Sequence, residues 1–187
     1  MRFLSFMEMA LKLKDVKRTG WLLREVQEPE SVAAHSFNVA LLCMLFAGEE
    51  KLNVEKCIKL ALVHDLHEAL CGDLTLKEHN LEYGLEPDEK IAAERKSAKK
   101  LFSLFPKKKK ELLELSREFF ERKTKEAIFV KDMDRLETCL QAFYYAKKRR
   151  SNVSLDDFFK KAEQEIKTKT GKALFAKVKS AYMKTKQ

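Results

Sequence analysis

The chain has 187 residues, of which 45 % are hydrophobic and 36 % charged, with a formal net charge of +9. This suits a folded domain rather than a disordered chain, and 5 glycines with 3 prolines are too few to punctuate an all-β fold. No uninterrupted apolar run approaches the roughly 18 residues of a membrane span. The apolar start at Met1 to Met7 is soon broken by Glu8, Lys12 and Lys14, unlike a signal peptide. Cys43, Cys57, Cys71 and Cys139 lie in apolar patterns without a C-x-x-C pair. They read as free thiols of a reducing compartment, so a cytoplasmic location is expected.

In chain order, residues 3–13 read as a short apolar-rich helix and 17–30 as a loop with local order. Ser31 is a helix cap, and Val32 to Ala47 behind it is apolar nearly all round, which predicts a central helix. Asn53 caps a helix predicted over Val54 to Leu70, with Gly72 as its stop. Residues 73–86 are irregular. A helix opens at Pro87 and runs to about Phe105, where Pro106 stops it; an amphipathic helix follows to about Arg122. Thr124 caps a long helix to about Arg150. Ser154 to Asp157 resembles a capping box, and Gly171 separates the helix that follows from a last one at 172–184. The fold class expected is all-α.

The charge excess is localised: residues 147–187 hold 13 Lys/Arg against 4 Asp/Glu, and residues 1–146 hold 25 of each. No aromatic ladder accompanies the basic segment, so a solvated helical pair is favoured over a nucleic-acid surface.

The chemistry concentrates at Leu60-Ala-Leu-Val-His64-Asp65-Leu-His67-Glu68, where four ionisable groups follow four apolar residues. Burying such groups costs several kcal/mol unless a partner compensates them, and a divalent cation is a natural one. At about 100° per residue, His64 and Glu68 share a helix face, with Asp65 about 100° round from His64. An imidazole with a carboxylate suits Mn²⁺, Fe²⁺, Co²⁺, Zn²⁺ or Ni²⁺. Further ligands must come from other helices, where His35 and Asp134 stand out. Asp132, about 200° from Asp134, should point away, His67 is expected to lie behind the ligands or face solvent, and His79 should be exposed.

The pattern His35, His64-Asp65, Asp134 resembles the H…HD…D signature of HD-domain metal-dependent phosphohydrolases, in their 5′-deoxynucleotidase branch. Arg18-Thr-Gly-Trp21, Pro29-Glu-Ser-Val32, Gly72-Asp73-Leu74 and Val130-Lys-Asp-Met-Asp134 match in family order. The resemblance implies an HD-domain helical bundle over 1–150, with 151–187 as a basic helical extension packed on it. It implies that His35, His64, Asp65 and Asp134 bind one divalent metal and that the reaction releases phosphate from deoxyribonucleoside 5′-monophosphates. By the same resemblance Glu68 is the catalytic carboxylate and Asp73, also catalytic, opens a substrate-binding segment continuing through Leu74 and Thr75. Trp21 and Arg18 would contact the nucleotide, with Arg24 a competitor for the phosphate and core packing an equal alternative for Trp21. Other substrates (a nucleoside triphosphate, a cyclic nucleotide, a phosphosugar) stay open, as does a non-catalytic basic binding module. The resemblance also implies a homodimer, with apolar faces at 3–13 and 136–146 as contributors; neither membrane nor nucleic acid is expected as a partner.

Overall fold

The computed structural model describes residues 2–80 and 82–186, and among them the regular structure is helical apart from two isolated bridges, Lys17 to Ser31 and Leu76 to Leu85. The core is built by α3 (Val32–Phe46), α4 (Val54–Val63) and α8 (Lys125–Lys148), after α1 (Arg2–Leu11) and the one-turn α2 (Thr19–Leu22). Caps start the three core helices where the sequence predicts them. Ser31 Oγ accepts from Ala34 N at 3.3 Å, Asn53 Oδ1 from Lys56 N at 3.0 Å and Thr124 Oγ1 from Ala127 N at 3.2 Å. Val39, Cys43, Cys57, Leu60, Val130, Met133 and Leu136 interlock between them.

The helix expected over Val54 to Leu70 is interrupted. It ends at Val63, turns through residues 64–67, and resumes as α5 (Glu68–Cys71), which Gly72 closes at φ +73°. At the break the Ala61 carbonyl, which a continuing helix would offer to the Asp65 N–H, accepts from His64 Nδ1 at 2.6 Å. Two helices cover this region, α6 (Pro87–Ser103) and α7 (Lys109–Glu121), the former opened by a Glu86/Glu89 capping box.

α9 (Asp156–Glu165) and α10 (Lys169–Lys184) lie against α8. Ser154 is not the cap of α9. It sits one residue too early and accepts from Asp156 N, while Asp157 pairs with Arg24 instead of closing a box. Gly171 does not separate two helices; it lies in the first turn of α10, where a β-carbon would meet Thr168 Oγ1 at 2.8 Å and Ile166 Cγ2 at 2.9 Å. Asp132 anchors this corner, pointing away from Asp134 as expected. Its carboxylate accepts from Lys167 N, Thr168 N and the Thr168 hydroxyl at 2.7–3.1 Å, at the positive end of α10.

The 19-residue stretch Val32–Glu50 does reach the length and mean hydropathy, 1.4, of a membrane span. It is the central helix of the core, however, with His35 and Ser36 buried on the same side as Val39 and Cys43.

Replacing Asp132 with Ala removes those interactions together. The expected loss is about 2 kcal/mol of unfolding free energy, read as a lower urea midpoint, with residues 167–184 exchanging amide hydrogens faster than α3.

Candidate metal centre

α3, the turn after α4, and α8 converge on one buried point. His35 Nε2 lies 3.1 Å from Asp134 Oδ1 and 3.9 Å from Asp65 Oδ2, and His64 Nε2 lies 3.0 Å from the same Asp65 oxygen. Ligand atoms of His35, His64 and Asp134 all fall within 4.8 Å of one another. Ligands about 2.0–2.2 Å from a shared ion stand about 3–4 Å apart, so little closure is needed.

The tautomers are set from behind. His64 Nδ1 donates to the Ala61 carbonyl, and His35 Nδ1 faces Glu137 Oε2 at 2.5 Å. Both Nε2 atoms therefore point at the centre, where neither makes an aligned hydrogen bond although both rings are buried. An outer carboxylate or carbonyl on the far nitrogen is the usual support of a metal-binding imidazole.

The electrostatics ask for positive charge here. Burial and Arg18 oppose protonation of His35, yet Glu137 and Asp134 push its imidazole up to about 9. Against burial, His64 holds the Asp65 carboxyl well below the usual range, and Lys131 with His35 does the same for Asp134. Glu68 behaves oppositely. Burial, then Asp65 and Asp73, raise its carboxyl well above the ordinary value, and its Oε2 is buried without a hydrogen-bond partner. The donor set therefore fits a divalent cation: two available imidazole nitrogens, two ionised carboxylates and a buried acid beside them.

A second acidic group, Glu30 with His35 and Glu137, lies behind the first. It already has its cation, since Arg18 Nε is 3.9 Å from Glu30 Oε1 and Arg18 Nη2 donates to Thr138 Oγ1 at 3.2 Å. Burial and the neighbouring Glu137 still push the Glu30 carboxyl up to about 7 against the pull of Arg18.

The structure separates the two arginines: Arg18 borders the centre, whereas Arg24 packs on Phe158 and pairs with Asp157 of α9. Asp73 joins the Arg18 loop to the site, its Oδ2 accepting from Thr19 N at 2.7 Å and its carbonyl from the Thr19 hydroxyl at 2.6 Å. Leu74 and Thr75 follow, both half-buried; their carbonyls accept from Lys90 Nζ and from Leu85 N. Trp21 does not offer the flat wall expected of a nucleotide contact. It is 1 % exposed between Tyr145 and Phe158, and its indole N–H donates to Glu30 Oε1 at 2.9 Å. Core packing, the alternative for Trp21, is what the structure shows. His67 is not solvent-facing; it is buried against Phe120, 3.9 Å from Glu94. His79 is exposed, as expected.

A family model described as HD domain matches residues 10–174. The chain belongs to the HD domain family. Among proteins similar to this HD domain chain, the Xenopus laevis protein named 5′-deoxynucleotidase HDDC2 is 36 % identical over 165 residues, covering 88 % of this chain and 79 % of that protein. The Homo sapiens protein of the same name is 36 % identical over 157 residues, covering 83 % of this chain and 74 % of its own length. Among solved structures, the PH0347 protein of Pyrococcus horikoshii OT3 superposes with a TM-score of 0.77 at 34 % identity, covering 96 % of this chain and 98 % of that one. A protein of Magnetospirillum magnetotacticum MS-1 described as a predicted metal-dependent phosphohydrolase reaches 0.70 at 26 % identity, over 98 % of this chain and 93 % of its own.

Three contributors escaped the sequence reading. Glu137 stands three residues after Asp134 on α8, a spacing that could have flagged it. Glu30 was visible only as part of a motif, and the Ala61 carbonyl has no sequence signal. Truncating Glu137 to Ala leaves His35 free to choose its tautomer. The expected result is a Co²⁺ affinity about 10- to 100-fold lower than that of the unmodified HD domain, measured by the visible absorption of bound Co²⁺.

Proposed function

We propose that this HD domain is a metal-dependent 5′-deoxynucleotidase, releasing phosphate from deoxyribonucleoside 5′-monophosphates. One observation carries the reading: two buried imidazoles present Nε2 atoms that lie beside Asp65 and Asp134 without an aligned hydrogen bond, and a buried Glu68 oxygen without a hydrogen-bond partner lies close to Asp65. The deoxynucleotidase named among relatives at 36 % identity supports the substrate class.

In this reading His35, His64, Asp65 and Asp134 hold one divalent transition-metal ion. Bound there, the ion supplies Lewis acidity toward the phosphoryl group, whose uncatalysed monoester hydrolysis is among the slowest known reactions. Glu68 orients the attacking water and accepts its proton, a role its raised basicity suits. The water oxygen bonds to phosphorus as the P–O5′ bond breaks, and the proton taken by Glu68 passes to the leaving sugar oxygen, so nucleoside and inorganic phosphate depart. Asp73 accepts from a sugar hydroxyl rather than facing phosphate, because a carboxylate repels the dianion. Arg18, braced by Thr138 and Glu30, presents its remaining donors toward the phosphate side.

The four cysteines are unbridged, which suits the reducing cytoplasm we assign as the location. We assign a homodimer through α3; of the two faces expected to contribute, that at 136–146 holds the core residues Leu136, Cys139, Ala142 and Tyr145, while Phe3, Leu4, Met7 and Leu11 of the 3–13 face are exposed. Phe37, Leu41, Met44 and Leu45 on α3, at i, i+4, i+7 and i+8, are 38 % to 65 % exposed and form one apolar stripe. Replacing both Phe37 and Leu45 with Glu should halve the sedimentation-derived mass while leaving metal content intact.

Protein reconstituted with Co²⁺ or Mn²⁺ should release phosphate from deoxynucleoside monophosphates and stop on chelation. Glu68→Gln should retain the ion yet lower kcat by about 10²-fold or more, and a His64→Ala/Asp65→Ala variant sets the background. Release no faster than that background on every deoxynucleotide would reject the proposal; faster release from ribonucleotides or phosphosugars would reassign the substrate.

A further inference from the structure

Lys131 stands one turn before Asp134 on α8 with 16 % of its side chain exposed. Its ammonium donates to Asp134 Oδ2 at 2.6 Å, while the other oxygen of that carboxylate faces His35 Nε2 at 3.1 Å. The same ammonium lies 5.5 Å from the ring centre of Phe119, and that ring is 5.0 Å from His64. Lys131 therefore borders the converging ligands on the side where Phe119 covers His64. An ammonium has three donors, and Asp134 is the one hydrogen-bond acceptor it has among the described residues.

The other cations at the centre are engaged in part by protein groups, and Arg18 keeps only the donors that Thr138 and Glu30 leave. Arg18 holds Thr138 and faces Glu30, Lys90 holds Glu94 and the Leu74 carbonyl, and Arg135 is paired with Glu165. The centre also gathers the carboxylates of Asp65, Glu68, Asp73 and Asp134, which a phosphomonoester dianion has to approach. With Glu68 and Asp73 on α5 and the segment after it, Lys131 and the free donors of Arg18 are the electropositive groups left for that approach.

Resting on the phosphatase reading above, we propose that Lys131 binds a phosphoryl oxygen of the substrate with the donors Asp134 leaves free. It contributes as a fixed charge-assisted donor, so it strengthens binding of inorganic phosphate, the product, as well as of the monoester. A lysine that only steadies Asp134 would act on the metal instead, and the two roles separate by measurement.

The test uses the full chain loaded with Co²⁺, as Lys131→Met and Lys131→Arg. Inorganic phosphate affinity is measured by calorimetry, Co²⁺ affinity by absorption, and KM and kcat on a deoxynucleoside monophosphate. Expected for Lys131→Met are a phosphate Kd at least about tenfold weaker, kcat/KM lower by about 10²-fold and Co²⁺ affinity within about threefold of the parent. Lys131→Arg should recover most of the phosphate binding. An unchanged phosphate Kd in Lys131→Met overturns the proposal, as does a Co²⁺ affinity that falls in step with it or a parent protein that binds no phosphate. If the parent binds phosphate but hydrolyses no nucleotide, the functional reading fails while the Kd comparison still decides Lys131.

Discussion

The centre of this protein is organised by an imidazole buried between acids. His35 sits inside the most apolar helix of the chain with a carboxylate on each ring nitrogen, Glu137 on Nδ1 and Asp134 on Nε2. Such a ring must either carry positive charge or face one. Without a metal ion it takes a proton, and its pKa rises to about 9 although burial and Arg18 resist. A divalent cation held at Nε2 would satisfy Asp134 and Asp65 at once and would compete with that proton for one position. The same two contacts fix how α3 lies along α8: sliding either helix by one turn, about 5.4 Å, would strand a buried carboxylate.

α8 works on both of its sides. Lys131, Asp134 and Thr138, spaced three and four residues apart, face the centre, with Glu137 supporting His35. Asp132 and Arg135, rotated from that stripe, hold residues 165–168 where α9 gives way to α10. The basic segment is thus bound to the back of the helix that carries the site, and a few polar contacts hold it there. Lys179 pairs with Glu163, Lys186 with Asp156, and Glu50 accepts from Thr170 N.

Short-range physics was legible in the sequence. The caps at Ser31, Asn53 and Thr124 and the stop at Gly72 follow from side-chain chemistry within three or four residues, and each stands where it was expected. The convergence of His35, His64, Asp65 and Asp134 was legible because burying those groups together on apolar helices demands a common partner. What escaped depends on residues far along the chain. Trp21 left nucleotide contact and core packing equally open, and its packing against Tyr145 and Phe158, far along the chain, decides for the core. Asp132 was known to point away from Asp134, but what it faces, Thr168, lies 36 residues on. The 136–146 face reads as apolar without showing whether it meets the core or a second copy.

The break after Val63 explains why adjacent residues can serve one ion. In a continuous helix His64 and Asp65 project about 100° apart, so their side chains diverge. At the turn over 64–67 they instead meet, His64 Nε2 and Asp65 Oδ2 standing 3.0 Å apart. Interrupting a buried helix leaves backbone groups in need of partners. Here the imidazole takes the Ala61 carbonyl with its own Nδ1–H, and three-residue bonds take up part of the rest: Glu68 N to Asp65 O at 3.0 Å and Leu70 N to His67 O at 3.0 Å. The hydrogen bond that compensates the break is also the one that turns His64 Nε2 toward the centre. Local backbone geometry and ligand tautomer are therefore settled by a single interaction, and the turn then restarts as α5 with Glu68 as its first residue.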